Sequence, residues 1–315
     1  MNNQLKVLFV SSGNKTGQAV PVILNQAESL ISEGVNLDFY LVRGKGYWGY
    51  LKNLLSLKSK IRDFNPDIIH AHGLASLLTV FLPRNKVIIS LLGSELNENS
   101  ILLYLIKFLS KFYWKGIVVK SKDMYDKLGI KNNSKISIIP NGVDLQRMRL
   151  MKKNEAREKL NWNINDKTIL FLADPNRKSK NYKLAKEAIS LINDECVNLQ
   201  LIYNIPKNDV FWYLNATDVL LSTSLWEGSP NVIKEAMACN CPVVSTDVGD
   251  VKWLFGNEPG YFLTNYDSNQ LALKIIEALA FSKKHDRTNG RQQIERLGLD
   301  AQTVSKRLIR LYLNS

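Results

Sequence analysis

The stretch that decides the fold lies late in the chain and reads, from residue 227 to residue 238, EGSPNVIKEAMA. An apolar run at 219–221 (VLL) precedes it, and a second apolar run at 242–244 (PVV) follows it. This order predicts a strand, a turn, a helix and another strand. A helix that begins at such a turn offers free backbone N–H groups and the positive end of its dipole to an anion.

Two carboxylates accompany this predicted anion site. Glu227 lies at the turn, and Glu235 lies about two turns into the helix. Carboxylates beside an anion site suit a ligand that carries both phosphate and hydroxyl groups, and a sugar nucleotide is such a ligand. The plain alternative is that Glu227 caps the helix and Glu235 is a solvated helix residue.

The stretch resembles the donor-site motif of retaining glycosyltransferases of family 4, which have the GT-B fold. The family pattern is E-G-x-x-x-x-x-x-E-A-M-A-x-G-x-P-V-V, and this chain departs from it where Asn240 replaces a glycine. The resemblance implies that Glu235 accepts hydrogen bonds from ribose hydroxyls and that Glu227 lies near the hydroxyls of the donor sugar. It places further donor-binding residues at Gly228, Ser229, Pro230, Asn231 and Val232.

A basic loop at 174–181 (DPNRKSKN) follows a predicted strand and precedes a helix, where a phosphate-binding loop belongs. Breaking the bond between a sugar and a diphosphate needs fixed positive charge at the departing phosphate. In the family resemblance, Lys180 aligns with the family lysine and Asn181 stands where the family has a glycine. Arg177 is the nearest arginine, with Lys178 as its competitor. The alternative is a solvated basic loop.

No Asp-x-Asp metal motif occurs in the chain. We therefore expect a transferase that is independent of metal and has no cofactor. The expected donor substrate is a UDP-sugar rather than a GDP-sugar.

The 315 residues are too many for one ordinary core and predict two domains. Strands alternate with helices in both halves, which predicts an α/β GT-B fold of two Rossmann-like domains with parallel sheets and a cleft between them. We place the N-terminal acceptor domain at 1–160 and the donor domain at 161–299. The last helix, near 301–313, is expected to cross back to the first domain.

The first half offers fewer site residues. Gly13, after the first strand, resembles the family glycine that lets the backbone approach the phosphates. His70 and His72 end a predicted strand, and we expect one of them to line the cleft while the other packs inside. A histidine metal site is not expected. His72 and Asn141 are placed on the acceptor side of the cleft.

The segment at 90–95 (SLLGSE) departs from the family. Many members carry a histidine that faces the donor sugar, and Leu92 occupies its place here. Either the polar role moves to Glu95, or the sugar contact is lost. Glu95 therefore joins the candidate catalytic residues, which are Arg177, Lys180 and Glu227.

The charge is uneven: the first 150 residues hold 20 lysines and arginines against 10 acidic residues, so they carry +10 of the net +13. This basic half is expected to meet a membrane surface, nucleic acid or a phosphorylated acceptor, and no nucleic-acid module is recognised. Residues 47–60 and 101–115 interleave aromatics and leucines with lysines, which fits interfacial helices. Alternatively, their apolar faces pack on the sheet, as in most Rossmann helices.

The start of the chain lacks a signal-peptide pattern. We expect a cytoplasmic protein, peripheral on the inner face of the cell membrane. Cys196, Cys239 and Cys241 form no metal quartet or disulfide framework and are predicted to be small buried residues with free thiols.

Together these features predict a retaining glycosyltransferase that moves a sugar from a nucleotide sugar to a glycan acceptor. The acceptor is expected to be lipid-linked, in cell-surface polysaccharide assembly, at an anionic membrane surface. The alternatives are a GT-B sugar-nucleotide epimerase and a noncatalytic GT-B partner subunit.

Overall fold

The computed structural model of the protein describes residues 4–13, 17–44, 46–83, 86–93, 96, 101–130 and 134–314, with the backbone alone at 46–51, 101 and 102. The chain divides into two compact units. The first comprises Met1–Gly142 with Ala301–Ser315, and the second is Val143–Asp300.

The first unit is built on a parallel sheet. Its strands are β1 (Lys6–Ser12), β2 (Asn36–Val42), β3 (Ile68–His72), β4 (Val87–Ser90), β5 (Gly116–Val119) and β6 (Ile136–Ile138). The described strands lie in the order β2-β1-β3-β4-β5-β6. The four consecutive residues 7–10 of β1 are all fully buried. Burial of successive side chains is expected where both faces of a parallel sheet are covered. The connecting helices are α1 (Pro21–Ser32), α2 (Gly46–Phe64), α3 (Ile101–Phe112) and α4 (Lys122–Leu128).

The second unit repeats this architecture. Its strands are β7 (Lys167–Leu172), β8 (Val197–Ile202), β9 (Val219–Ser222), β10 (Val243–Thr246) and β11 (Tyr261–Thr264). They pair in parallel, and the described strands lie in the order β11-β10-β9-β7-β8. Its helices are α5 (Lys153–Leu160), α6 (Tyr182–Ser190), α7 (Val210–Ala216), α8 (Asn231–Ala238), α9 (Val251–Phe255), α10 (Ser268–His285) and α11 (Gly290–Arg296). The carboxyl ends of β7, β9 and β10 lie side by side, at the edge of a parallel sheet where ligands generally bind.

The last helix, α12 (Ala301–Leu313), belongs to the first unit, as the sequence predicts. Val304 and Leu308 join the apolar cluster that contains Ile23 and Leu30 of α1. The Tyr312 hydroxyl lies 2.6 Å from a ring nitrogen of His70 in β3. The helix therefore completes the core on one face of the first sheet.

The boundary between the units lies at Gly142, earlier than the predicted boundary at residue 160. Residues 143–160, which include α5, belong to the second unit. Arg157 of α5 is buried and donates hydrogen bonds to the Ala216 carbonyl (2.9 Å) and to Asp218 Oδ2 (2.7 Å). Lys153 pairs with the other oxygen of Asp218 at 2.8 Å. These contacts attach α5 to the second unit.

Candidate functional site

The basic loop and the segment after β9 meet at the carboxyl edge of the second sheet. The Leu225 amide donates to the Ser179 carbonyl at 2.8 Å. The Thr223 hydroxyl lies 2.9 Å from the carbonyls of both Lys180 and Asn181. The end of the basic loop is therefore tied to the residues that precede Glu227.

Lys180 and Glu227 form an ion pair at this edge. The Ser224 hydroxyl donates to the same Glu227 oxygen at 3.0 Å. An ammonium group suits a phosphate oxygen and a carboxylate suits a sugar hydroxyl, so the pair presents both kinds of partner side by side. A small cavity beside it is lined by Phe171, Leu172, Ala173, Lys180, Leu221, Ser222, Thr223, Ser224 and Val232.

Helix α8 begins directly after residues 228–230, which we call the donor loop. Its N-cap position is Pro230, and no side chain caps the first turn. The first N–H groups of a helix have no partner within the helix. The Asn231 side-chain oxygen is buried and has no hydrogen-bond partner among the described residues. Gly228, Ser229 and Pro230 are buried as well, so the loop is packed into the unit rather than standing free in solvent.

Glu235, on α8, lies in a partly accessible but crowded position. Burial raises the pKa of its carboxyl above the usual range, whereas the positive charges of Lys234, Arg147 and Lys207 favour the carboxylate. A carboxylate among three cations can accept hydrogen bonds from hydroxyl groups. Its predicted contact with ribose remains a prediction.

Both asparagines that replace family glycines have left-handed backbone conformations. Asn181 has φ 49° and Asn240 has φ 55°. Asparagine enters this region more easily than other residues with a Cβ atom. The two departures from the family pattern therefore preserve the backbone shape that a glycine would allow.

Arg177 is exposed on the surface of the basic loop, and Lys178 is exposed beside it. The assignment of Arg177, rather than Lys178, as the second phosphate-binding cation stays a prediction.

Gly13 lies at the end of β1, close to β2. Its amide donates to the Val42 carbonyl at 2.9 Å, and a Cβ there would lie 3.3 Å from Leu41 Cβ and from the Val42 oxygen. Close strand packing therefore gives a structural reason for a glycine at this position. Its predicted role near phosphates stays a prediction.

The expectation that one of the two strand histidines lines a cleft while the other packs inside is wrong. Residues two apart on a strand share a face, and both rings are buried with their centroids 4.3 Å apart. The His70 ring nitrogens contact the hydroxyls of Tyr312 (2.6 Å) and Ser90 (2.8 Å). Neither ring nitrogen of His72 has a hydrogen-bond partner among the described residues. Burial, assisted by Lys120, lowers the pKa of both imidazoles well below the usual value.

Of the remaining residues singled out in the first unit, the structure describes Asn141 and Leu92. Asn141 lines a small cavity with Gln26 and Lys120. Leu92 is half-buried and packs against an apolar cluster of this unit. Glu95 lies outside the described residues, so its catalytic role stays a prediction.

The second unit also contains a buried charged cluster that was not predicted from the sequence. Lys234 and Asp250 are both buried beneath the donor loop, and Lys234 Nζ lies 2.9 Å from the Ser229 hydroxyl. The signal in the sequence is a lysine that directly follows the apolar residues Val232 and Ile233 of the predicted helix. Neighbouring Gly249, with φ 61°, packs so closely that a Cβ would lie 2.7 Å from the Gly228 carbonyl oxygen.

The three cysteines are free thiols, as predicted. Cys239 and Cys241 are buried, as expected, whereas Cys196 is exposed, contrary to the expectation. Across the described part of the chain, no group of three or more histidine, cysteine, aspartate or glutamate side chains could hold a metal ion.

Helix α3 carries an exposed aromatic stripe. Tyr104, Phe108 and Phe112 are exposed by 74%, 58% and 52% and lie four residues apart, so they share one face. Ile106 and Leu109 of the same helix are buried. One face of the helix therefore packs inside the unit, as the alternative predicts, and the interfacial role of the exposed face stays a prediction. Among the described helices, none has the length and apolar character needed to cross a bilayer.

The fold places the protein in a defined structural class. Anabaena HepE in complex with UDP-glucose superimposes with a TM-score of 0.80 over 99% of this chain and 100% of that chain, at 16% identity. Such likeness at low identity establishes the fold: two parallel-sheet Rossmann-like domains of the GT-B type.

Two family models match the sequence. Glycosyltransferase Family 4 matches residues 31–147, and Glycosyl transferases group 1 matches residues 199–280. Together they span more than half of the chain, which belongs to the family 4 glycosyltransferases.

Two curated relatives agree with this assignment. A Bacillus subtilis glycosyltransferase named for teichuronic acid biosynthesis is 25% identical over 244 residues, covering 69% of this chain. The Escherichia coli UDP-Gal:α-D-GlcNAc-diphosphoundecaprenol α-1,3-galactosyltransferase is 25% identical over 257 residues, covering 68% of this chain. The alignments cover 62% and 66% of the relatives' own lengths, less than two thirds of either.

Proposed function

We propose that the protein is a retaining glycosyltransferase that moves a sugar from a UDP-sugar to a lipid-linked glycan acceptor in cell-surface polysaccharide assembly. The observation that carries the proposal is the Lys180–Glu227 ion pair beside the uncapped start of α8. The family membership supports transfer chemistry. The donor and acceptor classes are those in the name of the Escherichia coli relative, and retention follows the family resemblance.

In this reaction the side chains divide the work. Lys180 and the first-turn N–H groups of α8 stabilise the negative charge that grows on the departing diphosphate. Glu227 orients the donor through a sugar hydroxyl, and Glu235 holds the ribose. No metal is required, because these groups provide the positive charge. The acceptor hydroxyl attacks the anomeric carbon as its bond to the diphosphate breaks, and its proton leaves with the UDP.

Binding can be tested before transfer. A panel of UDP-, GDP- and ADP-sugars is compared by thermal unfolding, and a ligand at a hundred times its Kd adds about 2.7 kcal/mol of stability. We expect stabilisation by UDP-sugars, and a reduced effect in Glu235→Gln. Lys274→Gln, which removes the half-buried lysine that pairs with Glu277 on α10, is the control and should respond like the wild type. Absence of any response to UDP-sugars would overturn the proposal.

A noncatalytic partner role is the second candidate, and Leu92 at the position of the family histidine favours it. Slow hydrolysis of the UDP-sugar by the purified protein in the absence of acceptor would argue against this role. An epimerase would release no UDP and would convert the donor into an isomer, which chromatography separates.

We further propose that the α3 stripe docks on an anionic membrane surface, peripherally on the cytoplasmic side. Exposed rings insert at the headgroup level while Lys111 on the same helix attracts anionic lipid. Phe108→Ser should weaken binding to vesicles that contain phosphatidylglycerol. Leu273→Ser changes a similarly exposed apolar residue on α10 and should bind as the wild type does. Equal loss in both variants, or in neither, would contradict docking by α3.

A further inference from the structure

Lys234 is a buried lysine beneath the donor loop. It lies on α8, is only 1% exposed, and places its Nζ atom 2.9 Å from the hydroxyl of Ser229. Burial lowers the pKa of its ammonium group to about 8, whereas Asp250 and Glu235 favour the charged form. A charge is retained in such a place only when a partner compensates for lost hydration.

Asp250 provides the opposite charge. It follows β10, immediately precedes α9 and is 6% exposed. Within the described residues, neither of its carboxylate oxygens has a hydrogen-bond partner. Burial raises the pKa of this carboxyl, and the positive charge of Lys234 is the strongest influence that favours its anion. The Asp250 charge therefore depends on the ammonium of Lys234.

The cluster connects three elements of the second unit. Lys234 belongs to α8, Ser229 to the donor loop and Asp250 to the loop after β10. Gly249 brings this last loop against the backbone of Glu227, since a Cβ there would lie 2.8 Å from the Glu227 carbonyl oxygen. Any shift of the Asp250 loop therefore moves the backbone that carries Glu227.

The surrounding charges can be named for each group. Asp250 and Glu235 act on Lys234. Glu227 disfavours the Asp250 anion, and Arg147 and Lys207 act on Glu235. Loss of the Lys234 proton thus removes the main compensation for the Asp250 anion.

We propose that Lys234 is a positioning residue: its ammonium group, bonded to Ser229 and attracted to Asp250, holds the donor loop in the form that binds the diphosphate of the nucleotide sugar. This role rests on the proposed function, because the donor loop is the site that the proposal assigns to the nucleotide sugar. It adds that donor affinity is controlled by the proton on a side chain that does not touch the donor.

The direction of the pH effect follows from the charges. Below about pH 8 the ammonium is present and the loop is held. Above it, Lys234 becomes neutral, and an uncompensated Asp250 anion remains beside Glu227 and the incoming diphosphate. Affinity for UDP should therefore fall as pH rises through about 8, by at most about tenfold for each pH unit.

The test is calorimetric titration of UDP into the full-length protein from about pH 6.5 to about pH 8.8. Lys234→Met should bind about tenfold more weakly than the wild type at neutral pH, with a flat pH profile. Lys234→Arg keeps the charge across this range and should retain affinity at the alkaline end. Asp250→Asn removes the anion that favours the ammonium, so the midpoint of its profile should move below that of the wild type.

A matched control separates this role from general loss of stability. Lys153 is a half-buried lysine, paired with Asp218 at 2.8 Å. That aspartate directly precedes β9, at the amino ends of the strands of the same sheet. Lys153→Met should lower the unfolding temperature yet keep the wild-type pH profile. Hydrogen exchange without ligand adds a second readout: the amides of 228, 229 and 231 should exchange faster in Lys234→Met than in Lys153→Met.

The outcomes distinguish the two proposals. If the wild type binds UDP and Lys234→Met shows the same affinity and pH profile, the role of Lys234 is overturned and the proposed function stands. The same holds if Lys153→Met reproduces the flat profile. If the wild type binds no UDP across the range, the proposed function fails, and this inference fails with it.

Discussion

Replacing Gly249 by alanine should destabilise the second unit and displace the donor loop. Gly249 has φ 61°, and an added Cβ would lie 2.7 Å from the Gly228 oxygen and 2.8 Å from the Glu227 oxygen. Both contacts are with backbone atoms, which cannot rotate away as a flexible side chain does.

The expected loss of unfolding free energy in Gly249→Ala has two contributions. The left-handed conformation costs an alanine about 1–2 kcal/mol, and overpacking against fixed atoms costs about 1–3 kcal/mol. The free energy of unfolding should therefore fall by about 2–5 kcal/mol. For a domain of this size, each kcal/mol lowers Tm by about 2–4 °C.

Differential scanning calorimetry measures the loss, and UDP titration measures the accompanying loss of affinity. Gly34→Ala is the control, because Gly34 has φ 86° and its added Cβ meets nothing within 4 Å. It should show only the conformational cost and leave UDP affinity unchanged. The reasoning is refuted if Gly249→Ala loses no more stability than Gly34→Ala and binds UDP as tightly as the wild type.

Three further predictions concern the proposed reaction. Lys180→Ala should lower kcat more than it raises the donor KM, because the ammonium matters most as the diphosphate leaves; steady-state kinetics showing a change in KM alone would reassign Lys180 to ground-state binding. Glu235→Ala should weaken nucleotide binding by about 1.5–3 kcal/mol through loss of a charged hydrogen-bond acceptor, and an unchanged Kd in calorimetry would contradict its contact with ribose. Transfer should persist in EDTA, and activity lost there and restored by Mn²⁺ or Mg²⁺ would contradict metal independence.

The sheets could be predicted from the sequence because buried parallel strands appear there as short continuous runs of apolar residues. The apolar runs at 7–10, 87–90 and 116–119 are buried strands in the structure. The domain boundary could not be predicted in the same way. In the sequence, Lys153 and Arg157 resemble ordinary solvated side chains. Their ion pairs with Asp218, which lies far along the chain, attach this segment to the second unit.

The site was predictable where one motif contains both partners and obscure where it does not. The turn and helix around Glu227 and Glu235 follow from contiguous residues. The cluster of Lys234 with Asp250 depends on two loops that pack together only after β9 and β10 pair. The positions of the strand histidines could have been predicted correctly from the sequence. Residues two apart on a strand lie on the same face of the sheet, and His70 and His72 are two apart.

The stereochemistry of the product is the most direct test of sugar transfer with retention. The purified protein is incubated with UDP-galactose, UDP-glucose or UDP-N-acetylglucosamine and a polyprenyl-diphosphate-linked sugar, and the anomeric configuration of the product is determined by NMR. We expect UDP release coupled to an α-linked product from an α-linked donor, with turnover reduced in Lys180→Ala. A β-linked product would contradict retention, and absence of transfer from every UDP-sugar would contradict the proposed activity.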